Sequence, residues 1–327
     1  MILEIKTKER QEFQMIKIYK TDENTGILNS ISQVQEQSWI HMVRPTKEEI
    51  DSVSEKTGIA KSLFVKVLDE EEISRIESEG KATLIVADIP YMVDYSVKNK
   101  YRTLPLGIIC SGNFIVTIIL KENKLFDDFE KGLVKNFDTS KKTRFTIQLF
   151  LRISQGYLRA LNKMNQDIQR EERILAKATK NQELLEMLNI EKSLVYFMGA
   201  LKYNKTTLDK LSKGTILPFF DEDADLLEDA MIECGQAIEM ATIYKEIMAS
   251  TTETYASVIS NNLNGIMKFL SAITIVFSIP TMIASFMGMN VPLGKFATHP
   301  ASFLILVIIS LVVAFIIAYW LKKKDMF

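Results

Sequence analysis

The residues best suited to chemistry in this chain form a row within a largely apolar stretch. Every member of the row is Asn, Ser, Thr or Gly except Met267. These residues recur at alternating intervals of three and four residues, which places them on one face of a helix. Hydroxyl and amide groups on such a face can line a path for water, and small residues can equally let two helices pack closely. The spacing alone leaves both interpretations open. The stripe, as this row is called below, consists of Asn264, Met267, Ser271, Thr274, Ser278, Thr281, Ser285 and Gly288.

Two runs of acidic side chains supply the other chemistry that the sequence offers. The first run occupies residues 69–72, and the second contains six acids between residues 221 and 229. Carboxylate oxygens are hard ligands that suit magnesium or calcium, although most acidic runs are solvated faces. From spacing alone, a metal site and a solvated face both remain open.

Other kinds of chemistry have little material in this chain. The two histidines, His41 and His299, lie far apart, and the sequence has no HExxH, phosphate-binding loop, GxSxG or GxGxxG motif. Cys110 and Cys234 stand alone, so we expect two buried, small apolar residues rather than a disulfide or a zinc finger. The net charge is -1 and no basic patch carries interleaved aromatics. We therefore predict neither an enzyme nor a nucleic-acid partner.

From Ser271 onwards, the stripe lies in the first of two long uncharged stretches, each long enough to cross a bilayer. Residues 269–289 and 301–321 contain no charged side chain, and a helix of this length spans roughly 30 Å. The connecting loop carries one lysine and the second stretch ends at three, at residues 322–324. The positive-inside bias therefore predicts cytosolic N- and C-termini for a multi-pass protein of the cell membrane. The N-terminus has no secretory signal pattern.

The rest of the chain alternates strand-like and helical patterns before turning wholly helical. Strands are predicted within residues 38–45, 82–93 and 104–120, and helices within 46–58 and 125–137. The fold class is thus an α+β cytosolic domain with a long helical stalk and two C-terminal transmembrane helices. The predicted order is a cytosolic domain over 1–140, a helical hairpin over 141–220, a stalk helix over 221–289 that becomes the first membrane helix at about 268–288, an outer loop over 290–300, a second membrane helix over 301–321 and a basic tail over 322–327.

A short motif lies at the end of the first membrane stretch, directly before the loop that leads to the second. Gly288, Met289 and Asn290 close this stretch and are followed by a short loop and a second helix that ends in lysines. This arrangement resembles the signature of the CorA metal-transporter family. Upstream, SNNLNGIMKFL is similar to the family's pore entrance, and LDEEEISRIE followed by TLIVADIPY is similar to its N-terminal domain, so the resemblance covers the whole chain in outline.

The resemblance implies a funnel-shaped homopentamer in the lipid bilayer, with the first membrane helix of each chain lining a central pore. It favours pore lining for the stripe and adds Leu270 to it. By similarity, Asn290 forms a ring of side-chain carbonyls that holds a hydrated ion at the outer mouth, with Gly288 allowing a turn and Met289 packing behind. Asn264, Met267 and Leu270 match narrow constrictions near the cytosol. Thr281 matches a second polar ring.

The resemblance also implies regulation by the ion that is carried. Asp229 matches a regulatory carboxylate of the family, Asp69 is its expected partner from a neighbouring subunit, and Glu253 matches a second acidic position. Magnesium bridging these carboxylates would hold the pore closed when its cytosolic concentration is high.

Some positions depart from the family pattern and leave the ion open. The outer loop has no acid and contains Lys295, and Ser278 stands where a bulky apolar residue is common. Magnesium is the expected cargo, with cobalt and nickel as further ions. The alternatives are a ZntB-like zinc transporter coupled to protons, and a non-conducting membrane sensor whose cytosolic ring binds a partner.

Overall fold

The computed structural model describes residues 15–93, 101–175, 182–289, 294 and 300–324. The chain divides into two compact units, one up to Ser250 and one from Thr251 onwards. The strands are β1 (Met15–Thr21), β2 (Leu28–Ser30), β3 (Trp39–Val43), β4 (Arg75–Glu79), β5 (Ala82–Met92), β6 (Tyr101–Ser111) and β7 (Phe114–Ile119). The helices are α1 (Lys47–Thr57), α2 (Lys61–Val65), α3 (Asp127–Glu130), α4 (Lys142–Leu175), α5 (Gln182–Leu211), α6 (Ala224–Met287) and α7 (Ser302–Lys323).

The seven strands form one mixed sheet in the order β2-β1-β3-β7-β6-β5-β4. Neighbouring strands are antiparallel except β3 and β7, which run parallel with Trp39 opposite Ile115. The parallel pair needs a long crossover, and the chain supplies it with α1, α2 and the β4–β6 meander. The sheet is the frame on which the helices of the first unit pack.

One face of the sheet packs on α1 and α2 in a wholly apolar core. Ile40 and Met42 of β3 meet Leu63 and Phe64 of α2 there, all fully buried. Helix α1 is held at its start by a capping box between Thr46 and Glu49. The 3₁₀ turn after α2 comes so close to β6 that a Cβ on Gly107 would clash with the side chain of Val67, and only glycine permits this approach.

The opposite face carries an aromatic cluster around Trp39. Its indole Nε1 donates to Thr117 Oγ1 at 2.8 Å, and the ring of Phe145 from α4 meets it edge-on at 5.1 Å. His41 lies in the same layer, 2.8 Å from Thr117 through Nδ1, and burial lowers its pKa to about 3. This histidine is neutral and belongs to the core. Cys110 and Cys234 are also buried.

Helices α4 and α5 pack on β5 through a buried polar contact. Asp88 lies beyond the last residue of β5 that pairs with β4, so its backbone needs other partners. The Asn204 amide of α5 accepts from Asp88 N at 2.9 Å and donates to Asp88 O at 2.8 Å. The Tyr157 hydroxyl of α4 donates to the same carbonyl at 3.2 Å. Both helices are thereby fixed to one residue of the sheet.

The helix predicted over residues 125–137 is wrong beyond its first turns. The chain forms a 3₁₀ turn at Lys124–Phe126 and then only the four residues of α3. Gly132 and Asn136 have positive φ, at 66° and 54°, which a right-handed helix cannot contain. Phe129 and Phe137 are drawn into the aromatic cluster under Trp39 instead. The strands β1, β2 and β4 were not predicted from the sequence.

Helix α6 is a single element of 64 residues that continues through Pro280. Such a helix is on the order of 100 Å long. Together with the α/β unit and the apolar α7, it confirms the predicted fold class.

The buried carboxyl of Asp88 gives the first unit a pH-dependent stability that we expect to measure. Burial, opposed by a hydrogen bond from the Ser74 backbone and reinforced by Glu72, raises its pKa to about 7. The folded state therefore holds a proton that the unfolded chain releases near pH 4, so this contribution is lost as pH rises from about 4 to 7. Asp88→Asn should flatten this slope and stabilise the protein at pH 8 by up to about 4 kcal/mol. Thermal unfolding across pH checks it, with the exposed Asp225→Asn as control, and an unchanged slope would contradict it.

Candidate functional site

All members of the stripe lie on α6 or in the turn that ends it, and each is exposed in the single chain. Leu270, which the family resemblance adds, is also exposed. The side chains of Met267 and Leu270 keep more than half of their surface accessible although both are apolar. Exposed apolar side chains beside exposed polar ones mark a face that another molecule or the bilayer must cover.

Three hydroxyls of the stripe donate hydrogen bonds to the backbone of their own helix. Thr274 Oγ1 donates to Leu270 O at 2.8 Å, Ser278 Oγ to Ile275 O at 2.9 Å and Thr281 Oγ1 to Phe277 O at 3.0 Å. The donor is thus satisfied internally, while the oxygen lone pairs stay available on the exposed face. Thr281 bonds Phe277 and not the Val276 carbonyl that Pro280 deprives of its usual donor. The arrangement suits a surface that accepts hydrogen bonds from water.

The two apolar helices of the second unit bury a different set of residues. These are Ala272 and Ile279 on α6, and Ser310, Ala314 and Leu321 on α7. On each helix they are four or seven residues apart, the spacing of a helix-packing seam, and most are small. At 100° per residue this seam lies about 130° around α6 from the centre of the stripe. Packing within one chain therefore uses the seam and leaves the stripe open.

The motif at the end of α6 is described as far as Met289. Gly288 N donates to Ala284 O at 3.1 Å and Ser285 O at 3.2 Å, and Met289 is exposed. A Cβ on Gly288 would meet nothing closer than 3.6 Å, so the fold of a single chain does not require glycine here. Asn290, the predicted centre of the outer ring, lies outside the described residues, as do Lys295 and His299.

The predicted regulatory carboxylates lie on the surface of the described chain. Asp69 follows a 3₁₀ turn, and its Oδ1 accepts from the backbone of Glu71 at 3.0 Å. Asp229 and Glu253 are exposed on α6. Within the described residues, no group of three or more His, Cys, Asp or Glu side chains is placed to hold a metal ion.

Two other acids of this run pair with cations. Glu70 pairs with Lys121 at 3.4 Å, and Glu72 forms an ion pair with Arg75. Within the described residues, Asp69 and Glu71 form no ion pair, and the Asp69 carboxylate accepts only from the backbone of its own turn.

The second acidic run has a structural role at its start that spacing did not reveal. Asp223 is buried, and its carboxylate lies 2.6 Å from Arg144 Nε. Glu222 accepts from Lys141 at 2.8 Å, and this bond, with the charge of Arg144, lowers its pKa. These pairs tie the beginning of α6 to the beginning of α4. Asp88 has a structural role as well, and the sequence does carry a signal for it: Asp88 is a lone acid within the apolar run of β5.

These features define a class of protein: a large α/β unit followed by two helices that are long and apolar enough to cross a membrane, the first with an open polar stripe. A family model described as "CorA-like Mg2+ transporter protein" matches residues 34–323, so the chain belongs to this membrane-embedded CorA family. The predicted family is therefore confirmed.

Several proteins of known name or structure are similar to this chain over nearly its whole length. The cobalt/magnesium transport protein CorA of Methanocaldococcus jannaschii is 26% identical over 295 residues, covering 88% of this chain and 90% of that protein. The complete structure of the CorA magnesium transporter from the same organism matches with a TM-score of 0.79 at 24% identity, covering 94% of this chain and 97% of that one. Full-length CmaX matches with a TM-score of 0.70 at 14% identity, covering 97% and 100%.

The separation of the seam from the stripe can be tested with two neighbouring substitutions. Ala272→Leu inserts a large side chain into a fully buried position, and overpacking of this kind costs about 1–3 kcal/mol. The midpoint of thermal unfolding in detergent should fall by several degrees. Ser271→Leu adds the same side chain at an exposed position one residue away and should leave the midpoint nearly unchanged. Equal losses in both variants would show that the two faces are not distinct.

Proposed function

We propose that this CorA-type divalent cation transporter carries magnesium into the cell through a pore lined by the stripe. The observation that carries the proposal is the open row of hydroxyl and amide groups on α6, which packing within the chain does not cover. A span that buried only apolar side chains would offer an ion nothing to replace bulk water. A relative that matches over 88% of this chain bears the name of a cobalt/magnesium transport protein, which makes cobalt a second cargo. Nickel and zinc are further ions to test.

A pore of this kind needs several chains. Two membrane helices cannot enclose a channel, and the stripe occupies one face of one helix. A ring of chains brings the stripes together around an axis and removes Met267, Leu270 and their neighbours from lipid. The resemblance to the family supports a ring of five chains. The positive-inside bias of residues 322–324 favours cytosolic positions for both termini.

The outer mouth selects the ion by its hydration. Magnesium gives up its inner waters reluctantly, so a ring of Asn290 amide oxygens would hold the hydrated ion without stripping it. Amide dipoles carry no net charge and release the ion readily. Further in, the hydroxyls of Thr281, Ser278 and Thr274 present lone pairs to the same hydration shell. At the cytosolic end, Met267 and Leu270 form an apolar constriction that closes by losing water.

Regulation in this proposal acts through carboxylates that only an assembly can pair. Asp69 and Asp229 are both exposed and lie outside any metal-binding group of the described chain. Magnesium bridging Asp69 of one subunit and Asp229 of the next would favour the closed ring, with Glu253 as a second acidic position. When magnesium falls, repulsion between the carboxylates would favour opening. The ion shifts the equilibrium only by its preference for the closed state.

Asn290→Ala should abolish most magnesium entry, because the mouth loses its only amide ring. The measurement is uptake into liposomes that contain the purified protein and a magnesium-sensitive dye, with and without a pH gradient. Asn262→Ala is the matched control, since Asn262 is exposed on α6 and lies on a different face from the stripe. We expect at least a tenfold loss in the first variant and little change in the second.

The same uptake experiment distinguishes the proposed magnesium pore from the alternative functions. Undiminished flux in Asn290→Ala would refute the proposed mouth. Zinc entry that follows the proton gradient, without magnesium entry, would favour a ZntB-like transporter. Metal flux in either condition would count against the non-conducting membrane sensor.

Asp229→Ala should relieve inhibition by internal magnesium. With one bridging carboxylate removed from each subunit boundary, the concentration that halves the flux should rise several-fold. Flux is recorded against increasing magnesium on the cytosolic side, with the exposed Asp225→Ala on the same helix as control. Inhibition that persists unchanged in Asp229→Ala would eliminate this carboxylate as a sensor.

A further inference from the structure

A cavity of about 510 Å³ lies in the first unit beside the start of α4. It contains none of the residues assigned to the ion path or to its regulation. Its volume is in the range of small-molecule sites, which span about 300–1,000 Å³. Its lining includes Lys81, Lys141, Lys142, Leu217, Phe220 and Glu222.

One side of the cavity is cationic. Lys81 is exposed in the turn between β4 and β5, and Lys141 and Lys142 stand at the start of α4. Lys141 Nζ is 2.8 Å from Glu222, and Lys142 Nζ donates to the carbonyl of Gly112. Among the described residues of the lining, three lysines thus face a single carboxylate. The positive end of the α4 dipole adds to this field, so the cavity favours an anion.

The other side is apolar and contains an accessible aromatic ring. Ile216, Leu217 and Pro218 form the wall, and Phe220 keeps 54% of its surface exposed. The segment is held in place by the Thr143 hydroxyl, which donates to Pro218 O at 2.8 Å. An exposed aromatic face of this kind can stack on a planar base, an interaction worth about 1–3 kcal/mol.

We propose that this cavity binds a nucleotide, with the phosphates at the lysines and the base against Phe220. Inorganic anions would use the lysines alone and leave the apolar wall in water. A ligand that joins a polyanion to a planar ring uses both sides at once. Metal-free nucleoside triphosphate carries more negative charge than its magnesium complex and is the form that the three lysines fit best.

Isothermal titration calorimetry of the full chain in detergent tests the proposal, with ATP as the nucleotide in a buffer that contains EDTA. We expect one ATP per chain. Lys81→Glu should weaken binding about tenfold, because it reverses one of the three charges, and Phe220→Ala should weaken it several-fold. Both positions are exposed, so neither change disturbs the core. Lys47→Glu makes the same charge change at an exposed position outside the cavity and should leave the affinity unchanged.

Three results would overturn the proposal. The first is the absence of measurable heat with the wild-type chain. The second is an affinity for ATP that survives both Lys81→Glu and Phe220→Ala. The third is pyrophosphate binding as tightly as ATP, which would reduce the cavity to a site for simple anions. No divalent ion is present in these titrations, so their outcome does not depend on the transport proposal.

Discussion

Hydrocarbon offers no partner to a polar group, and this constraint organises the second unit. The backbone of a spanning segment must be helical, and each hydroxyl on it must bond within the protein. Thr274, Ser278 and Thr281 meet the requirement by donating to carbonyls of their own helix. The helix can therefore carry polar oxygens through a membrane without a partner helix at each one. The oxygens nevertheless remain on a face that α7 leaves open.

The division of α6 into faces follows from the same constraint. Small residues such as Ala272 form the seam and allow close packing, whereas the stripe is left for water or for other copies of the chain. In the first unit, α6 again buries small residues, among them Ala230, Cys234, Ala237 and Ala241. Helix α6 thus packs through small side chains both in the first unit and in the apolar second unit. The ion pair between Arg144 and the buried Asp223 ties the beginning of this helix to α4.

The patterns that sequence analysis interpreted correctly were those with long periods and simple physics. An uncharged run of 21 residues has few alternatives to a spanning helix, and Trp39–Val43 and Ala82–Met92 are apolar enough to be strands in any context. Short elements were less predictable. The apolar residues between 125 and 137 have helical spacing, but Phe129 and Phe137 pack in the aromatic cluster under Trp39. Local periodicity could not anticipate that competition.

The sequence by itself determined the α/β unit, the long helix, the two apolar helices, the polar stripe and, through the Gly-Met-Asn end, the family. These depend on composition and spacing along one chain. Only the tertiary structure decided which acids stabilise the fold and which stay on the surface. The partner of Asp88 is more than a hundred residues away along the chain, and the partner of Asp223 is about eighty residues away. The tertiary structure also decided that the stripe and the packing seam are different faces. Burial depends on which distant segments come together, and no local pattern contains that information.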